Sequence, residues 1–571
     1  MNLRNRLSAL LAVVALTFAT MQPAPASAQA YQANPRLIVI VVIDQFRGDY
    51  LNRDHDKFQG RGFRLFTDEG AWFTDCYYDY ANTKTAPGHA TLGTGAYSDG
   101  HGIETNEFWD ASRSFEHRVS AVEDERYQLV DIPATSIPAN QPGAPETAAK
   151  FMIGSSPRNL RATTFGDELR ISTQGRSRVF GISLKDRAAI LPVGHSANGA
   201  FWIDTASGQF TTSTYYMEHL PEWAKAFNSG GRVKKAVQDA MLDETTQFYE
   251  LVGRMPAANS YELDFAKALI EGEKLGQGET TDLLVVSLSA NDLQGHQFGP
   301  DSPFEEQMIL SLDKDLNDFN TWLDKKVGLK NVWMALSADH GVAPIPADNA
   351  RLGLPSAQVD VEKLYEKINA ELNSRFSSGS RVNYILSGSD LPYITLDQRA
   401  FRAAGVDEKT AEETVAALLP DAVAAQAPQP EAAPEGSDPD QPAQHRLPPV
   451  PHVQHVYTRQ QFVAGQFPPS EWGRLLSHSV TDHGNWYVFL TLDPYQMTHL
   501  RGGTTHFAPY SYDRHVPLAI FGTPFVPGEY HSRVAPVDLA VTFASLAGVN
   551  QPSAAVGRVL TEALRTPDAK R

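Results

Sequence analysis

The amino-acid sequence predicts an α/β fold, with a mainly parallel central sheet and helices on both of its faces. Three continuous apolar runs rich in β-branched residues, 37–43, 282–288 and 331–336, are typical of strands buried on both faces. Apolar residues recur at helical spacing in the segments between and after them: 261–273, 303–327 and 359–376. Alternating strands and helices indicate a parallel sheet, and in such sheets a ligand site lies beyond the carboxyl ends of the strands.

The first thirty residues have the pattern of a secretory signal peptide. Arg4 and Arg6 precede an apolar run at 7–19, and small residues at 26–30 offer cleavage sites. The apolar run is short for a bilayer-spanning helix, so we expect no stable membrane anchor. Cleavage of residues 1–30 would leave a soluble protein that is periplasmic or secreted.

The length of 571 residues exceeds what one simple core accommodates, so we expect residues 31–571 to form one large domain with insertions. Two segments, at about 195–260 and 345–500, interrupt the alternation and are predicted to cap the site and shape its substrate pocket. The first of them is rich in aromatic residues, which include Phe201, Trp202 and Tyr215. Within the second, residues 421–451 are rich in Pro, Ala and acidic residues and lack aromatic residues. We interpret 421–451 as a flexible, solvated, low-complexity loop.

Charge and cysteine content exclude several classes of partner and of stabilising bond. The formal net charge is −18, and it becomes −20 when the two arginines of residues 1–30 are removed. An acidic surface disfavours nucleic acid and anionic membranes as partners. Cys76 is the one cysteine, so no intramolecular disulfide can form. We expect a monomer.

Six carboxylate and imidazole residues follow apolar runs or lie in glycine-rich turns: Asp44, Asp292, His296, Asp339, His340 and His506. Taken singly, each is better explained as a turn, loop or helix-capping residue. Taken together, three carboxylates and three imidazoles at the mouth of one sheet predict a site for two divalent metal ions.

Four further residues are candidates for contact with a substrate. Thr85 lies where a helix should begin; it is either a cap or a nucleophile whose ionised form a metal and the helix N-terminus would stabilise. Asn106 is either a turn residue or an amide donor to a phosphoryl oxygen. Lys185 and Arg187 follow the apolar strand 179–183 and are either a solvated pair or cations that grip phosphate.

Seven motifs occur in the same order as in a known family: VVIDQFRGDY, NTKTAPGHATLGTG, HGIETNEFW, SLKDRAAILPVGH, DLQGHQFGPDS, SADHG and GTTHFAPYSYDRHVP. With these motifs, most of the chain after residue 30 resembles the alkaline phosphatase superfamily. The resemblance is to the bacterial threonine-nucleophile, zinc-dependent alkaline phosphatases, which have a core like that of the type I phosphodiesterases and nucleotide pyrophosphatases.

The resemblance implies two zinc ions and a covalent phosphothreonine intermediate. One zinc ion would be held by Asp292, His296 and His506. The other would be held by Asp44, Asp339 and His340 and would also contact Thr85, the expected nucleophile. The phosphoryl oxygens would be contacted by Asn106, Lys185 and Arg187. Small-molecule phosphate monoesters are the expected substrates. The sequence does not exclude an additional structural calcium ion at an acidic loop.

Three alternatives are distinguished by sequence features or by activity. The related phosphodiesterases and nucleotide pyrophosphatases share the threonine and the metal ligands but lack the element formed here by Lys185 and Arg187. A sulfatase would carry a Cys- or Ser-x-Pro-x-Arg signature, which we do not find. A non-catalytic binding protein would retain the site and bind phosphate without turnover. One departure from the family is Phe507, because glycine usually follows the last histidine ligand. The family pattern therefore does not predict the backbone conformation at His506 or the shape of the pocket wall.

Overall fold

The structure is a computed structural model that describes most of the chain. It covers residues 34–565 except 111–112, 114–117, 133–152, 246, 355, 378, 387, 389–390, 428–449, 482–484 and 499–502. The predicted signal peptide therefore lies outside the described residues.

Strands and helices alternate along the described residues. The strands are β1 (Leu37–Ile43), β2 (Ala71–Phe73), β3 (Glu107–Phe108), β4 (Val119–Ser120), β5 (Glu123–Gln128), β6 (Ile153–Ser155), β7 (Val179–Ser183), β8 (Gly199–Ile203), β9 (Phe210–Thr211), β10 (Asp282–Leu288), β11 (Val332–Ser337), β12 (Ala357–Gln358), β13 (Tyr393–Thr395), β14 (Val453–Thr458), β15 (Tyr487–Leu492), β16 (Gln496–Met497), β17 (Leu518–Phe521) and β18 (Gly528–Tyr530). The α-helices are α1 (Tyr50–Arg53), α2 (Arg64–Thr67), α3 (Thr85–Thr94), α4 (Ser98–His101), α5 (Phe165–Ser172), α6 (Asp186–Ile190), α7 (Glu222–Ser229), α8 (Arg232–Asp239), α9 (Phe248–Leu251), α10 (Pro256–Gly272), α11 (Ala290–Phe298), α12 (Pro303–Lys326), α13 (Pro346–Arg351), α14 (Val361–Phe376), α15 (Gln398–Ala403), α16 (Glu408–Ala424), α17 (Arg459–Val463), α18 (Glu471–Ser477), α19 (Ser511–Arg514) and α20 (Val537–Ala547). Short 3₁₀ turns occur at His55–Lys57, Leu329–Asn331 and Thr561–Ala563.

The central sheet has nine strands in the order β18-β2-β17-β11-β1-β10-β7-β8-β9. Its five middle strands, from β11 to β8, run parallel to one another. Strand β17 is antiparallel to both of its neighbours, and β9 is antiparallel to β8. All seven residues of β1 are buried, as a strand covered on both faces requires. The prediction of a mainly parallel α/β fold is confirmed.

Local sequence explains why the long helix α12 forms where it was expected. Ser302 caps its N-terminus and accepts a hydrogen bond from the backbone N–H of Glu305, and Pro303 occupies the first turn. Its buried stripe includes Ile309 and Leu316. The other two predicted helices correspond to α10, which begins five residues earlier than predicted, and α14, which begins two residues later. None of the helices in the described ranges combines the length and apolarity needed to cross a bilayer.

The segment at 195–260 is not solely a cap, which corrects the expectation from sequence. Strand β8 within it pairs in parallel with β7, and β9 continues the sheet. Two of the aromatic residues that suggested a pocket lining, Phe201 and Trp202, are buried in the core. Phe201 is fully buried, and the rings of Phe210 and Phe265 stack with centroids 3.6 Å apart. Large aromatic rings are most favourable where they are removed from water, and here they contribute to the main hydrophobic core.

The segment at 345–500 contains a second hydrophobic core. Strands β13, β15 and β14 form a three-stranded antiparallel sheet. Helices α14 and α16 contribute to the same cluster of buried side chains, which includes Ile368, Val415 and Val488. This segment is therefore a subdomain with its own packing, which we name the inserted subdomain.

The predicted loop at 421–451 begins differently from the expectation. Residues 421–424 are the last turn of α16, where Ala422 and Val423 are buried. The loop prediction is wrong there because these two apolar side chains extend the buried face of the helix. Residues 428–449, which carry most of the Pro-rich sequence, lie outside the described residues.

Candidate active site

Four adjacent parallel strands bring the predicted site residues to one edge of the sheet. Asp44 directly follows β1, and Asp339 and His340 follow β11. Asp292 is in the first turn of α11, which begins just after β10. Lys185 comes two residues after β7. The carboxyl ends of neighbouring parallel strands share an edge, so residues far apart in sequence become neighbours.

Thr85 is the first residue of α3 and is buried. The backbone N–H of the next residue, Ala86, donates a hydrogen bond of 2.8 Å to Oδ1 of Asn106. Asn106 therefore satisfies one of the free N–H groups at the helix N-terminus and lies beside Thr85. Gly88 allows α3 to pack closely against the segment that follows β11. A Cβ atom at position 88 would lie 2.3 Å from the backbone oxygen of Asp339.

The three predicted imidazole ligands share one orientation. Nδ1 of His296 lies 2.9 Å from the carbonyl oxygen of Thr504, and Nδ1 of His506 lies 2.6 Å from that of Thr83. Nδ1 of His340 lies 3.0 Å from its neighbour's carbonyl oxygen. Because a carbonyl only accepts, Nδ1 carries the proton in each ring, and Nε2 keeps a lone pair for a metal ion.

The first candidate metal group is formed by Asp292, His296 and His506, whose ligand atoms lie within 4.8 Å of one another. Nε2 of His296 is 3.1 Å from Asp292 Oδ1, and Nε2 of His506 is 3.8 Å from the same oxygen. One carboxylate oxygen and two imidazole nitrogens are a ligand set that zinc accepts.

The second candidate group surrounds Asp44. Nε2 of His340 lies 3.4 Å from Asp44 Oδ1 and 3.6 Å from Asp339 Oδ2. Ligand atoms of Asp44, Asp292 and His340 also lie within 4.8 Å of one another, so Asp292 adjoins both groups.

Buried atoms of the second group fit a divalent cation. Asp44 Oδ1, Asp339 Oδ2 and His340 Nε2 are buried and have no hydrogen-bond partner within the described ranges. Burial and the negative charges of Asp292 and Asp339 hold the pKa of Asp44 well above its ordinary value. Buried acceptors without partners are costly, and a bound cation would satisfy them.

Lys185 contacts both ligand groups. Its Nζ lies 2.5 Å from Asp44 Oδ2 and 2.6 Å from Asp292 Oδ2. Burial lowers the pKa of Lys185, but the two carboxylates outweigh it and raise that pKa above its ordinary value. The ammonium group thus balances negative charge at the centre of the site. Arg187 follows in α6, and its Nε is buried without a hydrogen-bond partner in the described part of the chain.

Three residues of this site were not identified from the sequence. Gln45 is buried and contacts Asp292 and Asp339, and a single sequence gives no sign of this.

His89 lies with Nδ1 3.3 Å from Asp339 Oδ2 and Nε2 2.7 Å from Ser287 Oγ. Its position four residues after Thr85 on a predicted helix is a signal that could have found it. Tyr249 of α9 lies close to Lys185 and Arg187: burial raises the pKa of its hydroxyl group above the ordinary value, and the two cations lower it in part.

The structure explains the departure at Phe507. Its φ of 105° lies in the region that glycine adopts most easily. Its N–H donates to Thr83 Oγ1 at 3.2 Å, and its ring packs against the ring of His506. The Nζ atom of Lys84, which precedes the candidate nucleophile, lies 4.4 Å from the ring centroid. A cation–π contact therefore offsets part of the backbone strain.

Three carboxylates and three imidazoles meet at one edge of a parallel sheet, beside a threonine at the start of a helix. This arrangement is typical of one class of metal-dependent phosphoesterases. The chain belongs to the type I phosphodiesterase / nucleotide pyrophosphatase family, whose model matches residues 38–464.

Within that class the chain is similar to named alkaline phosphatases. It is 31% identical to alkaline phosphatase PhoV of Synechococcus elongatus, over 93% of this chain and 94% of that protein. It is 30% identical to alkaline phosphatase PafA of Elizabethkingia meningoseptica, again over 93% of this chain and 94% of the relative. The crystal structure of wild-type PafA superimposes with a TM-score of 0.78 at 28% identity, covering 93% of this chain and 99% of that one. The resemblance inferred from the motifs is confirmed.

Proposed function

We propose that this protein is an exported alkaline phosphatase that hydrolyses phosphate monoesters through a phosphothreonine intermediate on Thr85. The observation that carries the proposal is the convergence of two adjoining metal-ligand groups on the carboxyl edge of the sheet, with the threonine at a helix N-terminus. Similarity to PhoV and PafA over nearly the whole chain supports the same activity.

Two zinc ions fit the ligand chemistry. Asp292, His296 and His506 would hold one of them. The other would be held by Asp44, Asp339 and His340, close to Thr85. When bound, the two ions would supply positive charge for the attacking and leaving oxygens and would lower the pKa of a bound water molecule.

The chain's own residues would bind and orient the phosphoryl group. Oγ1 of Thr85 loses its proton to solvent and attacks phosphorus in line as the bond to the leaving oxygen breaks; the leaving alkoxide takes a proton from water and departs as the alcohol. Water then cleaves the phosphothreonine, which releases inorganic phosphate and restores the hydroxyl group. The helix N-terminus favours negative charge at this position. Asn106, Lys185 and Arg187 would contact the non-bridging oxygens, with Arg187 able to bind two of them at once.

Substrate class follows from the two cations. A monoester dianion carries more charge and more terminal oxygens than a diester, so Lys185 and Arg187 favour the monoester.

The second candidate function is a phosphodiesterase or nucleotide pyrophosphatase, which the family match over residues 38–464 favours. The ratio of kcat/KM for an aryl phosphate monoester to that for the matching diester, measured with zinc, decides between the two.

Replacement of the nucleophile tests the covalent route. Thr85→Ala should abolish monoester turnover and leave zinc bound, because the hydroxyl forms the intermediate. Thr94→Ala is the matched control, since Thr94 lies at the other end of α3 and its hydroxyl donates to the carbonyl of Ala90. Substantial residual hydrolysis by Thr85→Ala would remove Thr85 as the nucleophile. Phosphate binding without turnover by the unmodified protein would indicate a binding protein.

Replacement of both cations tests the substrate preference. Lys185→Ala combined with Arg187→Ala should lower kcat/KM for the monoester far more than for the diester. Equal losses on the two substrates would show that the pair does not set the preference.

Export has its own test: the protein recovered outside the cytoplasm should begin near residue 31.

A further inference from the structure

The peptide unit between Asp44 and Gln45 is fixed from both sides. Its carbonyl oxygen accepts a hydrogen bond of 3.0 Å from Nδ2 of Asn291 on α11. Its N–H, which belongs to Gln45, donates to Asp339 Oδ1 at 3.1 Å. Three neighbouring strands therefore meet at this one peptide, because Asp44 follows β1, Asn291 follows β10 and Asp339 follows β11.

The side chain of Gln45 reaches the other ligand group. Its Nε2 donates to Asp292 Oδ1 at 2.8 Å. That oxygen is also the one that lies near Nε2 of His296 and of His506. Gly295 leaves room for the amide, since a Cβ atom at that position would lie 2.2 Å from Gln45 Oε1. The side chain is therefore held in a closely fitting, buried place.

The backbone of Gln45 is in an unfavourable conformation. Its φ is 63°, in the left-handed region where a side chain crowds the following carbonyl oxygen. Strain of this kind persists where surrounding contacts over-determine it, and such positions cluster at functional sites. Here the contacts are with two predicted zinc ligands, one through the backbone and one through the side chain.

We propose that Gln45 is a positioning residue that couples the two predicted zinc sites. Its backbone N–H orients Asp339 in one ligand group, and its side-chain amide orients Asp292, which adjoins both. The inference rests on the zinc site of the proposed function. It assigns no contact between Gln45 and the substrate.

The physical consequence is a change in zinc affinity. A donor fixed on one carboxylate oxygen holds the carboxylate plane and leaves its remaining lone pairs directed at the metal position. Removing such a partner costs about 10- to 100-fold in metal affinity. A variant that lacks the amide but keeps the backbone N–H should weaken the zinc held by Asp292, His296 and His506 more than the other zinc.

The experiment compares Gln45→Met and Gln45→Gly with Gln294→Met. Gln294 is a buried glutamine on α11 whose Nε2 donates to the carbonyl oxygen of Phe304, so it is a matched control. Zinc stoichiometry and the two zinc affinities are measured by competition with a chromogenic chelator. We expect both Gln45 variants to bind one zinc about 10- to 100-fold more weakly and the control to bind both normally.

A second measurement separates positioning from folding. Both Gln45 variants should keep a cooperative thermal unfolding transition in their zinc-free forms, which shows that they fold, while their zinc affinity falls. Unchanged zinc affinities in both Gln45 variants would overturn the inference, and so would an equal loss in Gln294→Met. If the unmodified protein bound two zinc ions but hydrolysed no monoester, the proposed function would fail while these affinity results would still decide the role of Gln45.

Discussion

Lys185→Met should destabilise the zinc-free protein strongly. The ammonium group lies 2.5 Å from Asp44 Oδ2 and 2.6 Å from Asp292 Oδ2, and the three side chains are 2%, 0% and 5% exposed. Methionine keeps most of the volume but leaves two buried carboxylates without their cation. Removing one partner of a buried ion pair typically costs about 3–5 kcal/mol, and we expect a loss of that size in the free energy of unfolding.

Zinc should reduce this loss. Bound zinc ions would supply the positive charge that the two carboxylates lose with the ammonium group. The assay is urea unfolding of the unmodified protein and Lys185→Met, each with zinc and with a chelator. The destabilisation should be large with the chelator and clearly smaller with zinc.

The matched control is Lys57→Met. Lys57 also lies between two carboxylates, with its Nζ 2.8 Å from Asp54 Oδ1 and 2.5 Å from Glu306 Oε1. Its side chain is half exposed, so water screens the pair and the loss should be small. The reasoning would be refuted by a zinc-free Lys185→Met as stable as the unmodified protein, or by equal losses in the two variants.

Two further predictions concern the backbone around the site. Phe507→Ala should be less stable than Phe507→Gly by about 1 kcal/mol in urea unfolding, because both lose the contact with Lys84 but alanine keeps the strain at φ 105°; equal stabilities would contradict the strain. Gly88→Ala should displace the start of α3, cost about 1–3 kcal/mol and lower monoester turnover, because the new Cβ meets the backbone of Asp339. Gly60→Ala, where a Cβ has open space, should change neither stability nor turnover, and unimpaired Gly88→Ala would show that the close approach is not needed.

Much of the central sheet could be predicted from local sequence. The runs at 37–43 and 282–288 coincide with β1 and β10, and the run at 331–336 is displaced by one residue from β11. These strands are buried on both faces, so their sequences are continuously apolar and the signal lies within a few residues. The same locality explains the successful prediction of α12, whose cap and apolar stripe are both visible in the sequence.

The errors occurred where distant packing decides the outcome. The aromatic residues at 195–260 suggested a substrate pocket, yet Phe201 and Trp202 pack in the core of the molecule. Composition suggested a loop from 421, yet Ala422 and Val423 are buried at the end of a helix. In both cases the residue types fitted two environments, and only the surrounding structure selected one.

The sequence by itself determined the fold class and the family, because buried strands and helix starts are local patterns and the motifs stand in the chain in the family's order. It also predicted the residue types of the site. Only the tertiary structure decided how those residues meet. It brought Lys185 between Asp44 and Asp292, and it directed the amide of Gln45 at a predicted zinc ligand. These contacts join residues up to 247 positions apart, and their geometry depends on strand order and on backbone angles that no local pattern records.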